Sequence, residues 1–495
     1  MGIKVLLIST YELGRQPFGL ASPAAWLRES GAEVACVDVS REPLLEAAVR
    51  GADLVAFYVP MHTATRLAIA LLPAIRELNP RARLCFYGLY APVNERYLRQ
   101  LGVETILGGE FEEGLTDLAI RLAEKNRQDT RASRESRKSM ARVNFFGSRS
   151  FSSDTDIPYR GGSSAPEERK SISLARQTFR TPDRHGMPPL EKYARLIMPG
   201  GESRTVGYTE ASRGCKHLCR HCPIVPVYNG VFRVVDREVV LADIRQQVGA
   251  GAQHVTFGDP DFFNGIGHAI PLVEQLHREF PQLTYDVTVK IEHLRKHQDC
   301  LPRLRDTGCL LVTSAVESVD DQVLEKLAKN HTRADFLRVI ELFREIGLTL
   351  APTFVAFTPW TTLASYCELL DVIREQGLIE NVAPIQLTIR LLIPAGSRLL
   401  ELRDVRELVE PFDEAALLYP WRHSDPRVDA LCERLQEIVH AGEKMNRPRA
   451  RIFERIEEAA YAALGPDGEA LASRRAMPVL ASRATIPYLN EPWYC

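Results

Sequence analysis

Three cysteines in the stretch CKHLCRHC, at 215–222, constrain this chain more than any other feature of its sequence. They are Cys215, Cys219 and Cys222. The spacing C-x3-C-x2-C follows a predicted strand at 206–209 and a turn at Gly214, so a loop can bring the thiolates to one metal centre. Iron–sulfur clusters normally take four cysteines, and a compact set of three indicates a cubane with one iron left open. The alternative is a structural zinc site completed by His217 or His221.

Length and composition describe an ordinary globular protein. The 495 residues allow two to four domains, and 45% hydrophobic with 25% charged residues is typical of folded chains. A net charge of -2 argues against nucleic acid as a partner. Ten cysteines are too sparse for a disulfide scaffold, and the apolar run at 4–8 is too short to span a bilayer. We therefore expect a soluble, cytoplasmic protein with reduced thiols and no membrane partner.

Residues 1–125 alternate short apolar runs with helical patterns. The predicted strands are 4–9, 33–38, 53–59, 83–88 and 105–107, and the predicted helices are 22–30, opened by Ser22 and Pro23, and 63–78. This alternation predicts a Rossmann-like parallel sheet with helices on both faces, which binds ligands beyond the carboxyl ends of its strands. Those ends carry Tyr11, His62, Gly88 and Gly109. No G-x-G-x-x-G follows the first strand, which argues against a nicotinamide cofactor.

Residues 126–200 are predicted to be a flexible linker followed by a lead-in to the next domain. From Lys125 to about Lys170 the chain is rich in Ser, Arg and Lys and has no apolar periodicity, so it cannot bury a core. Its basic character is also compatible with RNA, but few aromatic residues interrupt it, and we favour a connector. Order is expected to resume near Thr181.

Residues 201–400 repeat βα units at the intervals of a barrel. The strands after the cysteines are predicted at 254–257, 284–289, 310–316, 350–357 and 385–389. With the strand before the cysteines they make six units, an incomplete (β/α)6 barrel whose functional residues belong at the carboxyl ends of its strands. Residues 401–495 are predicted to be a small helical region, with helices at 415–419, 425–443 and 452–464 and a tail that ends in Cys495. The predicted fold class is thus α/β with three parts and one linker.

Polar residues stand at the ends of the predicted barrel strands. The second strand ends in Gly258-Asp259-Pro260-Asp261, the fourth carries Ser314 and Glu317, and Arg390 follows the sixth. Lys290, Glu292 and His293 follow the third. Carboxylates and hydroxyls here can bind a ribose or an ammonium group, and Arg390 suits an anion. The alternative is that these groups are structural or rim charges.

The cysteine motif and the strand-end motifs after it resemble the radical S-adenosylmethionine (SAM) enzymes over about 205–395. The resemblance implies a [4Fe–4S] cluster on the three cysteines, which act as catalytic and metal ligands, with SAM chelating the fourth iron. It also implies that Gly258 with Asp259 or Asp261 holds the SAM ammonium, and that Ser314 and Glu317 lie near its ribose and carboxylate. Here Gly-Asp-Pro stands where the family has Gly-Gly-Glu, so the choice between the two aspartates stays open.

The N-terminal domain resembles the cobalamin-binding domain of the cobalamin-dependent radical SAM enzymes in architecture and size. The histidine-bearing motif D-x-H-x-x-G is missing, because Tyr11-Glu12-Leu13-Gly14 stands in its place, and His62 is a candidate contact with a structural alternative. The resemblance implies cobalamin as a cofactor. The alternative is a Rossmann-like domain that holds substrate or a partner.

The opening STYELG, the segment VPMHT at 59–63 and the ending EPWYC are similar to a narrower family, the radical SAM proteins with a CUAEP or CCAEP tail. We hypothesise that Cys495 is the cysteine of that tail and that a selenocysteine UGA codon, read as a stop, follows it. A UAA or UAG codon would refute this, and the alternative is an ordinary terminus with one spare thiol.

The resemblance implies an enzyme that reductively cleaves SAM to a 5′-deoxyadenosyl radical, with methyl transfer to carbon or phosphorus if cobalamin is bound. It further implies an electron donor such as flavodoxin or ferredoxin and a small-molecule or peptide substrate. The second hypothesis is a redox-sensing or binding metalloprotein without turnover.

Overall fold

The N-terminal region is a parallel sheet with helices on both faces. In this computed structural model, residues 2–143, 171–465 and 486–490 are described. The strands are β1 (Lys4–Ser9), β2 (Glu33–Asp38), β3 (Leu54–Tyr58), β4 (Arg83–Tyr87), β5 (Thr105–Gly109) and β6 (Ile172–Ser173), in the order β2-β1-β3-β4-β5-β6. The helices are α1 (Phe18–Glu29), α2 (Glu46–Gly51), α3 (His62–Leu78), α4 (Tyr90–Val93), α5 (Glu95–Gln100) and α6 (Glu112–Val143). One hydrophobic core lies on each face, as the near-continuous apolar strands predict.

Two predictions in this region were wrong. Helix α1 begins at Phe18, four residues before the predicted start at Ser22, and it includes Pro23 in its second turn. Helix α6 continues to Val143, across the start of the predicted linker, because its Ala, Arg, Glu and Lys residues favour a helix even without an apolar stripe. The linker prediction for 144–170 lies outside the described residues.

The central region is a curled sheet in the order β14-β13-β12-β11-β8-β7-β15, with a separate β9–β10 hairpin. Its strands are β7 (Arg195–Ile197), β8 (Ser203–Thr209), β9 (Ser212–Gly214), β10 (Phe232–Val234), β11 (His254–Phe257), β12 (Thr284–Thr288), β13 (Cys309–Glu317), β14 (Thr349–Phe354) and β15 (Tyr488–Leu489). Its helices are α7 (Val225–Tyr228), α8 (Arg237–Gly249), α9 (Ile266–Glu279), α10 (Ile291–Lys296), α11 (Leu301–Asp306), α12 (Asp321–Lys326), α13 (Arg333–Ile346) and α14 (Leu363–Glu375). Strands β8 and β11 to β14 pair in parallel, which confirms the incomplete barrel.

The sixth predicted strand, at 385–389, does not form. Pro384 opens a 3-10 helix, Pro384–Leu387, and the side chain of Gln386 accepts a hydrogen bond from the Phe354 N–H at the end of edge strand β14. A single bridge between Phe357 and Arg390 stands where the strand was expected. Five parallel strands therefore position the site.

The C-terminal region packs two long helices against the barrel. Its helices are α15 (Arg403–Leu408), α16 (Pro426–Lys444) and α17 (Arg449–Ala463). Asp425 caps α16 by accepting the Arg427 N–H. The predicted helix at 415–419 is absent; the chain turns there, with Leu417 in the left-handed region and a bridge between Asp413 and Leu418. In the described parts of the chain, no helix combines the length and apolarity needed to cross a membrane.

Arg184, in the lead-in segment, fixes the N-terminal sheet against the barrel. Its guanidinium forms a two-pronged ion pair with Asp243 of α8, both N···O distances being 2.8 Å. It also donates to the Gln16 side chain at 2.7 Å and to the Tyr208 carbonyl at 2.7 Å. Bidentate arginine contacts are geometrically specific, so one side chain sets the orientation of three segments.

Candidate active site between the N-terminal sheet and the barrel

The cysteine loop, residues 215–222, is held at both ends by the β9–β10 hairpin, in which Gly214 pairs with Phe232. Gly214 has φ of +71°, and a Cβ there would lie 2.5 Å from the Tyr228 ring and 2.4 Å from the Val231 carbonyl. A glycine is therefore required immediately before Cys215. On the far side, the Arg220 N–H donates to the Leu327 carbonyl at 3.0 Å, which ties the loop to the end of α12.

The three thiols lie on the same loop, and Cys219 is buried. Burial raises the pKa of Cys222 to about 12, and the neighbouring thiols add to the shift. Burial also raises the pKa of Cys215. Three cysteines on one loop suit an iron–sulfur cluster with one open iron, with the zinc site as the alternative.

Glu317, Lys329 and His221 form a buried charged group against the loop. A register shift at the end of β13 and a φ of +70° direct Glu317 toward the loop. Its carboxylate lies 3.3 Å from the Lys329 ammonium and 3.1 Å from His221 Nε2. Burial would raise the pKa of Glu317, but Lys329 and His221 hold it at about 2. Lys329 is only 3% exposed, and interaction with Glu317, Cys219 and Cys222 raises its pKa.

The two predicted candidates for the SAM ammonium, Asp259 and Asp261, both have partners within the chain. Asp259 accepts hydrogen bonds from the Ser212 hydroxyl at 2.5 Å and from the Ala211 N–H at 2.9 Å, and burial raises its pKa to about 7. Asp261 caps the 3-10 helix Phe262–Gly265 and faces His217 and His293. Burial would raise its pKa, but the two imidazoles lower it.

Ser314 and Arg390 differ in how much of their hydrogen-bonding capacity is used. Ser314 is fully buried in β13, and its hydroxyl has no hydrogen-bond partner among the described residues. Arg390 lies over the Trp421 ring at 3.6 Å, donates to the Trp421 carbonyl at 2.7 Å and pairs with Asp429 at 2.6 Å. These contacts hold the Arg390 guanidinium against α16 and Trp421.

A cavity of about 210 Å³, here called the interdomain cavity, lies between the carboxyl edge of the N-terminal sheet and the barrel residues that flank the cysteine loop. Its lining includes Glu12, Tyr58, Met61, Gly88, Leu89, Gly109, Tyr208, Glu210, Gly214, Ile224, Tyr228 and Gly258. Three predicted cofactor-binding residues, Gly88, Gly109 and Gly258, are therefore brought to one place. A Cβ on Gly109 would lie 2.1 Å from the Ser173 carbonyl, and one on Gly258 would lie 2.0 Å from the Tyr208 hydroxyl, so both positions require glycine.

Tyr11 and His62 are placed differently. Tyr11 is buried, with 4% of its surface exposed. His62 Nε2 donates a hydrogen bond of 2.6 Å to the Ala416 carbonyl, which links the start of α3 to the C-terminal region. Burial lowers the pKa of His62. The contact favours the structural alternative for this histidine.

A buried acidic network closes one side of the interdomain cavity. Arg213, which is 6% exposed, lies 2.6 Å from Glu112, 2.8 Å from Glu210 and 3.4 Å from Glu110. One cation thus serves three carboxyl groups from two domains. Burial raises the pKa of Glu110 to about 7, and Glu112 and Glu210 add to the shift. Burial and Glu210 also raise the pKa of Glu12, whose Oε2 has no hydrogen-bond partner among the described residues.

Sequence reasoning missed Lys329 and Arg213, and it missed that each of them pairs with buried carboxylates. Lys329 lies between Ala328 and Asn330, both in the left-handed region, a backbone course that propensity does not reveal. Arg213 meets Glu110 and Glu112 from another domain, about a hundred positions away in the chain. A buried charge within an ordinary polar loop leaves no local signal, and only its tertiary partner identifies it.

Comparison with known proteins agrees with this architecture. Residues 209–361 match the family model of the Radical SAM superfamily. The cobalamin-dependent SAM radical enzyme OxsB superposes with a TM-score of 0.66 at 14% identity, over 95% of this chain and 74% of that one. The radical SAM methyltransferase TsrM from Kitasatospora setae superposes with a TM-score of 0.57 at 17% identity, over 81% of this chain and 76% of that one.

A sequence relative matches a shorter part of the chain. The hopanoid C-3 methylase of Methylococcus capsulatus is 24% identical over 166 residues, which are 34% of this chain and 31% of the methylase. The chain thus spans about a third of that relative. The structural likeness shows the fold, and residues 209–361, which carry the cysteine loop, match the Radical SAM superfamily.

Proposed function

We propose that this protein is a cobalamin-dependent radical SAM enzyme that transfers a methyl group from SAM to an unreactive position of its substrate. One observation carries the proposal: Gly214 and Ile224, which flank the cysteine loop, line the same cavity as the carboxyl edge of the N-terminal sheet. Parallel sheets of this kind bind ligands at that edge. A cofactor bound there would lie beside the two ends of the cysteine loop.

The residues around the loop fit a cluster with SAM on its open iron. Three thiols on one loop match the ligand set, and Lys329 beside Cys219 and Cys222 offsets the negative charge that thiolate ligation creates. The unpartnered hydroxyl of Ser314 is a buried group left free to bind a ligand. Glu317 is already paired, so we assign it to holding Lys329 and His221 in place rather than to direct contact with the ribose.

The interdomain cavity fits the face of a corrin ring in position and lining. Gly88 and Gly109 place no side chain into the cavity at their strand ends, and aromatic rings such as Tyr58 and Tyr208 offer flat apolar surface. Its volume of about 210 Å³ is below the roughly 300–1,000 Å³ of typical ligand pockets. We therefore expect the two domains to part when they admit the whole cofactor.

In this proposal the cluster supplies the electron that cleaves SAM, and the corrinoid supplies a carrier for its methyl group. The chain positions both and excludes water. Burial raises the pKa of Glu12 in the cavity wall and of Glu110 beside it, which reduces the negative charge around the cavity. A neutral, closed wall limits side reactions of a radical.

The proposal is tested by blocking the cavity. Leu89→Trp places a large ring in it, whereas Leu67→Trp adds the same ring to an exposed position of α3. Each protein is prepared anaerobically with its cluster rebuilt, mixed with hydroxocobalamin and desalted, and the corrinoid spectrum is recorded. We expect the wild type and Leu67→Trp to retain the corrinoid and Leu89→Trp to lose it.

An intact cluster with no corrinoid retained by the wild type would contradict cobalamin dependence. The N-terminal sheet would then be a module for substrate or a partner protein, and the small cavity volume would favour that assignment. Retention by all three proteins would place the corrinoid elsewhere on the chain.

A further inference from the structure

Beside the cysteine loop, three potential metal ligands converge without being hydrogen-bonded to one another. His217, Asp261 and His293 come from three separate elements, and their donor atoms all lie within 4.8 Å of one another. His217 Nε2 lies 3.3 Å and His293 Nδ1 lies 2.7 Å from Asp261 Oδ2. The three side chains are 11%, 2% and 9% exposed, so water does not satisfy them.

The direction of these groups, more than their distance, marks the site. Despite the short separations, His217 Nε2, His293 Nδ1 and Asp261 Oδ2 each lack a partner in hydrogen-bond geometry. Buried polar atoms in folded proteins are nearly always paired, and three that face one another without pairing call for an explanation. One cation bound by all three atoms provides one.

The spacing agrees with bonds to one cation. Nitrogen and oxygen ligands lie about 2.1 Å from a zinc ion, which puts them roughly 3.4 Å apart at tetrahedral angles and roughly 3.0 Å apart at right angles. The observed 2.7 and 3.3 Å bracket the closer of these values. Two histidines and one carboxylate are also the ligand set of many non-haem iron and zinc sites with open positions.

The groups around the triad suit this role. His217 Nδ1, the nitrogen remote from the triad, lies 3.6 Å from Glu292 Oε2 and 3.2 Å from Lys290 Nζ, and Lys290 pairs with Glu292 at 3.0 Å. The Lys290 ammonium donates to both Nδ1 and Glu292, so the carboxylate that usually supports a metal-bound histidine is linked to His217 through Lys290. The three ligands lie on the cysteine loop, after β11 and on α10, so one ion would join the loop to two strand ends.

We propose that His217, Asp261 and His293 bind one divalent first-row transition-metal ion, such as Zn²⁺ or Fe²⁺, separate from the metal centre of the three cysteines. The ion clamps the loop between Cys215 and Cys219 onto the barrel. It uses no thiol, and it does not depend on the corrinoid or on SAM.

Zinc is the probe because bound zinc can be counted separately from the iron of the cluster. Untagged full-length protein with its cluster rebuilt is incubated anaerobically with Zn²⁺ and desalted against a weak chelator. Zinc is then counted by mass spectrometry while the visible absorption reports the cluster. We expect one zinc per chain. His293→Ala should abolish retention, whereas His440→Ala, on an exposed position of α16, should leave it unchanged.

The outer partner gives a graded result. Glu292→Gln should weaken zinc binding by roughly 10–100-fold, the usual cost of losing an outer-shell carboxylate. Cys219→Ser removes a cluster ligand but should still bind zinc through the triad, and the same His293→Ala change in that background should remove it.

Two results would overturn the proposal. One is a wild-type protein with an intact cluster that retains no zinc and no iron beyond the cluster; the other is retained zinc that His293→Ala does not remove. Neither depends on corrinoid binding or SAM turnover, so this inference and the proposed function fail separately.

Discussion

Glu317 and Glu110 are both buried glutamates near the cysteine loop, yet the structure shifts their pKa values in opposite directions. Glu317 has one carboxylate against two potential cations, Lys329 and His221, and its pKa is about 2. Glu110 shares Arg213 with two other carboxyls, and its pKa is about 7. The balance of charge around each group, rather than burial, accounts for the difference.

This contrast separates the two sides of the candidate site. On the barrel side, an excess of cations beside Cys219 and Cys222 suits thiolates and an anionic metal cluster. On the interdomain side, an excess of carboxyls over cations keeps protons on the cavity wall. The barrel side therefore suits an anionic metal cluster, and the interdomain side suits a neutral ligand.

The largest effect is expected from making the same substitution on both sides. Glu317→Gln leaves the ammonium of Lys329 buried without its counter-charge, and breaking a buried pair in this way costs roughly 3–5 kcal/mol. Glu110→Gln replaces a carboxyl whose pKa is raised to about 7 with an amide of similar shape, and we expect a cost below about 1 kcal/mol. Urea unfolding of the apo proteins at neutral pH measures both.

Equal costs for the two substitutions would break the comparison, because they would mean that the two glutamates have the same charge. Lys326→Met provides a surface control, since Lys326 pairs with Asp404 in an exposed ion pair worth at most about 1 kcal/mol.

An intermediate effect is expected from pH. The folded state holds the Glu110 proton more tightly than the unfolded state, so this group's stabilisation is complete below its ordinary pKa and is lost as pH rises through about 7. Glu317 acts in the opposite sense, because its stabilisation is present above its ordinary pKa and is lost as pH falls toward about 2. Glu110→Gln should therefore flatten the decline in unfolding free energy between about pH 5 and about pH 8. An unchanged slope would place the proton on another group.

The smallest effect is expected from Tyr228→Phe. The Tyr228 hydroxyl donates to Glu110 Oε1 over 3.4 Å, a long hydrogen bond to a carboxyl of low charge. Its loss should cost about 0.5–1.5 kcal/mol, measured by the same unfolding curves. A cost above that of Glu317→Gln would mean that the interdomain side carries a full charge after all.

The sequence predicted features that depend on local pattern. Alternating apolar strands predicted both parallel sheets, and the spacing of Cys215, Cys219 and Cys222 predicted their shared loop, which the structure confirms. Prediction from the sequence failed where a residue far along the chain determines the local structure. At 385–389, the Gln386 side chain contacts the end of β14, and a 3-10 helix forms in place of the predicted strand.

Charge states were likewise beyond prediction. Nothing in the sequence distinguishes Glu317 from Glu110, since their pKa values follow from Lys329 and Arg213, which only the fold brings near them. The strand-end position of Asp261 was predicted, but its convergence with His217 and His293 needs three elements in place at once. The tail hypothesis for Cys495 concerns residues outside the described ranges and stays a prediction.

Cleavage of SAM by the loaded protein tests the central claim most directly. The protein, with its cluster and cobalamin in place, is incubated with SAM and a strong reductant, and the SAM-derived products are quantified beside a Cys219→Ser control. We predict both 5′-deoxyadenosine and S-adenosylhomocysteine from the wild type, the second only when corrinoid is bound, and no 5′-deoxyadenosine from the control. If a protein with an intact cluster and bound corrinoid formed neither of these products, that result would contradict the account.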